Sequence, residues 1–87
     1  MKTVKLDIRN IHTPQALQIY LQYMLGFRDG YGRNLDALYD ELTQICEPLC
    51  IRLETGDALG EQMKAYLPRL MRVLEDSAQD NPQLTIL

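Results

Sequence analysis

The chain has 87 residues, 46% of them hydrophobic and 24% charged, with a formal net charge of −3; that length supports one domain with a single modest core and excludes a second. No apolar run approaches the roughly 18 to 20 residues that span a bilayer, and the N-terminal segment alternates where a secretory signal would be continuously apolar, so a cytoplasmic protein without a membrane partner is expected. Residues 1–35 hold five basic and two acidic side chains and residues 36–87 four basic and ten acidic, a distribution that disfavours nucleic acid as the direct ligand and points to a basic protein partner.

Thr3 to Ile8 alternates, with Val4, Leu6 and Ile8 on one side and Thr3, Lys5 and Asp7 on the other, the period of a half-buried strand. Thr13 and Pro14 then supply an N-cap and a first-turn proline. Leu17, Leu21, Met24 and Leu25 fall on one helical stripe that ends near Gly26. Gly26, Gly30 and Gly32 mark Phe27 to Gly32 as a surface loop in which the glycines take positive backbone angles. Asn34 caps a second helix. Leu35, Leu38, Leu42, Ile45 and Cys46 share its apolar side, while Asp36 and Asp40 lie about 40° apart on a separate flank with Tyr39 on the border.

Glu47-Pro48 stops that helix, and Leu49 to Leu53 is a short apolar run suited to a covered strand. Thr55-Gly56-Asp57 forms a turn and cap. A short helix from about Asp57 to Met63 follows, then a longer one with Pro68 in its first turn and an apolar stripe of Leu67, Leu70, Met71, Leu74 and Ala78. Asp80-Asn81-Pro82 ends it, and Leu84 to Leu87 is a last strand. Strand, two helices, strand, two helices, strand is the order of an α/β domain whose helical crossovers allow three parallel strands, packed with about four helices.

The chemistry-bearing residues are few. Cys46 and Cys50 form C-x3-C, which matches neither a redox nor a four-ligand zinc spacing, and are expected as buried or partly buried free thiols. His12 is expected as an exposed side chain ahead of the first helix, with no nucleophile beside it. Tyr20, Tyr23 and Tyr66 sit on helical segments as packing residues, and Tyr31 and Tyr39 fit either the core edge or a binding face. No catalytic or phosphate-cradling motif is present, and no cofactor or metal is implied. Asp36 and Asp40 stand out because like charges one helical turn apart repel by roughly 0.2 to 0.5 kcal/mol, which a cationic partner would relieve.

The run Tyr31-Gly32-Arg33-Asn34-Leu35-Asp36-Ala37-Leu38-Tyr39-Asp40 closely resembles the loop and second-helix signature Y-G-x-N-L-D-A-L-W-D of the barstar family, intracellular inhibitors of bacterial ribonucleases. The order of elements is similar over essentially the whole chain, which implies a single barstar-like domain over residues 1–87. In that family, acids of the second helix and its preceding loop occupy the positions of RNA phosphates in the nuclease active site. By matching positions, the resemblance implies that Asp36 and Asp40 are the phosphate mimics, Tyr31 and Gly32 loop contacts, and Tyr39 the counterpart of the family's tryptophan. Asp76 is similar in placement to a further acidic contact. Gly30 replaces an aromatic residue of the family's loop, and Arg33 takes a position that is acidic in it, so a basic nuclease other than barnase, or another basic partner, stays open.

The expectation is therefore a non-enzymatic inhibitor, monomeric when free, that blocks a basic ribonuclease. Two alternatives remain from the residues themselves. One is an interaction domain of the same fold with a non-nuclease partner; the other is a small hydrolase using Asp36 and Asp40 as a carboxylate pair, which needs a cleft around both acids.

Overall fold

In the computed structural model, which describes residues 2–56 and 60–87, the alternating N-terminal segment becomes strand β1, Lys2–Asp7. Helices α1, Pro14–Leu25, and α2, Leu35–Thr43, lead to strand β2, Leu49–Glu54; helix α3, Glu61–Asp80, leads to strand β3, Leu84–Ile86. The sheet has the order β1-β2-β3 and is parallel throughout, with Val4 opposite Ile51 and Ile51 opposite Ile86. This is the expected three-stranded parallel α/β domain, with three helices among the described residues where about four were expected.

Alternation decides which face is covered. Val4, Leu6, Ile8, Leu49, Ile51 and Leu84 are buried against the helices, whereas Thr3, Lys5, Arg52 and Thr85 face water. Cys50 lies on the outer face yet is buried, because it sits on the middle strand between Thr3 and Thr85. Lys5 and Arg52 are cross-strand neighbours of like charge. Glu54 offsets their repulsion, its Oε1 3.8 Å from Lys5 Nζ and 3.7 Å from Arg52 Nε.

Both early helices start at their expected caps. Thr13 Oγ1 accepts from Ala16 N–H at 3.1 Å and Asn34 Oδ1 from Ala37 N–H at 2.7 Å, each satisfying one of the first unpaired helix donors. Gly26 ends α1 in the left-handed region, φ 71°. Helix α2 stops at Thr43, short of the expected Cys46. Thr43 Oγ1 donates to Tyr39 O at 2.9 Å, and Gln44 N–H tightens back onto Glu41 O at 3.3 Å, a local competition that closes helices early. The carbonyls freed at that end are received by buried Asn81, whose Nδ2 donates to Leu42 O at 2.9 Å and Ile45 O at 3.0 Å.

Pro68 lies inside α3 and not in the first turn of a separate helix. A proline there removes one backbone hydrogen bond, at about 3 kcal/mol in an isolated helix, but Met63, Leu70, Leu74 and Ser77 are buried on both sides of it and hold the helix continuous. Of the short helix expected over 57–63, residues 57–59 lie outside the described residues; Gly60 is the N-cap of α3 and from Glu61 onward the segment is the start of α3. Tyr20 and Tyr66 pack as expected, but Tyr23 does not: it is 83% exposed. It falls on the opposite side of α1 from Leu17 and Leu21, and Ile19 beside it is also exposed. Cys46 and Cys50 are both free thiols, Cys50 buried and Cys46 exposed in the segment after α2. His12 is exposed.

Candidate functional site

The loop before α2 is held from inside. Tyr31 N–H donates to Arg28 O at 2.9 Å, closing a turn, and the Tyr31 ring packs on Phe27 with centroids 4.8 Å apart. Tyr31 is only 7% exposed, and its hydroxyl donates to Gln18 Oε1, while Gln18 Nε2 donates to the Tyr66 hydroxyl at 2.7 Å. Burial pushes the Tyr31 phenol above its ordinary value near 10. The ring expected to offer a loop contact is thus turned into the core.

Arg33, not Gly30 or Gly32, takes the left-handed conformation here, φ 53°. Its Nε donates to Gln22 Oε1 at 3.0 Å, fastening the loop to α1. Gly32 meets a different constraint: a Cβ there would stand 3.2 Å from Ala37 Cβ, a tight contact that a side chain could take only if the loop or α2 gave way by a few tenths of an ångström. A Cβ at Gly30 would meet nothing within 4 Å.

Helix α2 buries Leu38 and Leu42 and leaves Asp36 and Asp40 exposed on its outer flank. Tyr39, half-buried between them, reaches across to α3, where its hydroxyl donates to an Asp80 carboxylate oxygen. That bond is the main cause raising the Tyr39 phenol, and the negative charges of Asp80, Asp76 and Asp40 push the same way. Tyr39 therefore links Asp40 of α2 to Asp76 and Asp80 of α3 in one acidic face, with Asp36 one turn before Asp40 on the same helix. Asp80 was missed as a site residue; its position one turn after Asp76 was the available signal.

None of these four acids enters an ion pair among the described residues. The pairs that do form lie at the strands: Lys5 and Arg52 with Glu54, and Arg9 with Asp7, where Arg9 Nε and Nη2 contact both carboxylate oxygens at 2.9 and 2.8 Å and hold the Asp7 carboxyl down at about 2. A cleft of about 310 Å³ next to α2 is lined by Asp36 but not by Asp40. Both carboxylates stand exposed on the helix flank and are not brought together in that cleft, whereas the hydrolase reading needs a cleft around both. Among the described residues no three His, Cys, Asp or Glu gather as a metal site, and no helix is long and apolar enough to cross a membrane.

Residues 1–86 match the family model described as "Barstar (barnase inhibitor)". The chain belongs to the barstar family. It is also similar to a protein of Bacillus subtilis (strain 168) named "Putative ribonuclease inhibitor YrdF", 30% identical over 81 residues that cover 92% of this chain and 89% of that protein. Of the positions where this chain was read as departing from the family pattern, Gly30 has open space around it, whereas Arg33 is hydrogen-bonded to Gln22 and Tyr39 to Asp80.

Proposed function

We propose that this barstar-family chain inhibits a basic ribonuclease, laying α2 and the preceding loop over the active site so that Asp36, Asp40 and Asp76 stand where RNA phosphates would bind. The observation that carries this reading is the acidic face itself: exposed carboxylates of two helices, gathered round Tyr39 with no cation of the chain paired to them among the described residues. A guanidinium or ammonium in a cleft would relieve the repulsion between Asp36 and Asp40 and form charge-assisted hydrogen bonds with both. Tyr39 contributes its half-buried ring, Gly32 a loop position without a side chain, and Tyr31 acts by holding the loop. The free protein is a monomer acting in the cytoplasm, binding protein and not nucleic acid, with no catalysis of its own.

Mixing the purified chain with basic ribonucleases, and following both complex formation and RNA cleavage, tests this. The double substitution Asp36→Lys, Asp40→Lys should abolish binding and inhibition together; binding left intact by it excludes the mechanism. The second reading, a non-nuclease partner, rests on Arg33, a cation where the family pattern is acidic. Tight capture of a basic protein without nuclease activity, lost on Asp40→Ala, would decide for it.

A further inference from the structure

On the side of the α2 N-terminus away from Asp40, the surface changes sign. The cleft of about 310 Å³ has Arg33 and Asp36 on one wall, Gln15 and Gln18 of α1 on a second, and Tyr66 and Arg69 of α3 on a third. The Arg69 guanidinium lies over the Tyr66 ring, 5.9 Å from its centroid, an arrangement that fixes the group while leaving its N–H edge available. Arg33 spends its Nε–H on Gln22 and keeps its two terminal amino groups. Neither arginine has an ion-pair partner among the described residues. The Tyr66 hydroxyl accepts from Gln18 Nε2 at 2.7 Å, which leaves its own O–H to donate.

We propose that this cleft is a carboxylate-binding subsite that takes an acidic side chain of the partner protein, next to the partner's basic cleft; the source of that carboxylate, though not the site, rests on the inhibitor reading above. Two arginines against Asp36 leave the lining with one net positive charge. A single carboxylate balances it, whereas the second charge of a phosphate would be set against Asp36. Exposed Gln15 can pair with the peptide groups that flank an acidic side chain. Because Asp36 borders both surfaces, a partner covering the acidic face necessarily reaches the cleft. Its complementary surface alternates in sign: a cationic groove for Asp36 and Asp40, and an acid beside it.

The test uses the free full-length chain and the capped tripeptide glycyl-glutamyl-glycine amide, followed by NMR. Saturable shifts are expected at the Arg33 and Arg69 Nε–H groups and the Tyr66 ring, with a dissociation constant roughly in the millimolar range. Exposed Arg69→Gln should weaken binding about tenfold, and Asp36→Asn should strengthen it by about two- to fivefold, the worth of removing one exposed like charge. Equal binding of the glutamine analogue of the tripeptide, shifts mapping elsewhere, weaker binding by Asp36→Asn, or tighter binding of inorganic phosphate than of the tripeptide would each overturn the assignment. The titration involves no nuclease, so its failure leaves the inhibition experiment free to succeed or fail alone.

Discussion

Replacing Tyr31 by Phe removes one oxygen and separates a scaffold role from a contact role. Gln18 is 2% exposed, and its Oε1 receives the Tyr31 hydroxyl. Without that donor a buried acceptor is stranded, at about 1 to 3 kcal/mol. Taking about 2 kcal/mol, a domain of this size loses roughly 8 to 16 °C in Tm, a sizeable share of an ordinary stability of about 5 to 15 kcal/mol. The assay is a double-mutant cycle by urea unfolding, with Gln18→Met as the second substitution. In the Gln18→Met background no amide acceptor remains to be stranded, so Tyr31→Phe should be at least about 1 kcal/mol less destabilising there. A Tyr31→Phe loss below about 0.5 kcal/mol, or a strictly additive cycle, would refute the account and return the Tyr31 hydroxyl to the partner.

Asp40→Ala should change stability by no more than about 0.5 kcal/mol, since the side chain is exposed and unpaired, while weakening partner binding; equal loss of both in calorimetry would place Asp40 inside the fold's own network. Asn81→Ala removes the donors to Leu42 O at the end of α2 and to Ile45 O just beyond it, and the acceptor for Gln83 N–H at 3.0 Å, and about 2 to 4 kcal/mol of stability is expected to go with them. Association with a basic nuclease should slow about tenfold or more between low and physiological salt, measured by stopped flow, because exposed charges steer encounter; a salt-independent rate contradicts an acidic docking face. The Tyr31 phenol is raised in the folded state by burial, so its stabilising contribution is complete below pH about 10 and lost as pH rises beyond. Unfolding free energies of wild type and Tyr31→Phe should therefore converge from about pH 10 upward.

What could be read from the residues alone was whatever depends on local pattern. The alternation of Val4, Leu6 and Ile8, the caps at Thr13 and Asn34, and the outward flank of Asp36 and Asp40 each follow from period or backbone chemistry. What escaped depends on contacts between distant segments. Pro68 reads as a helix start until Met63 and Leu74 are seen to be buried on either side of it. The partner of the Leu42 carbonyl, near the end of α2, is Asn81, 39 residues beyond it. Tyr31 reads equally as core or contact until Gln18 claims its hydroxyl, and the one hint was a polar Gln18 amid the apolar stripe of Leu17, Leu21 and Leu25. Arg33 was read for its charge, while the backbone uses it for the left-handed turn expected of a glycine.

The carbonyl clasp at Asn81 has a consequence for a chain emerging from the ribosome. Every carboxylate of the acidic face has left the exit tunnel before Asn81 does, yet the carbonyls of Leu42 and Ile45 lack their side-chain donor until that residue arrives, and β2 awaits its second neighbour until Leu84 to Ile86 follow. A polypeptide ending before residue 81 would carry Asp36, Asp40 and Asp76 yet lack both the Asn81 bonds and β3, so the surface that holds those acids takes its final geometry only at the end of synthesis.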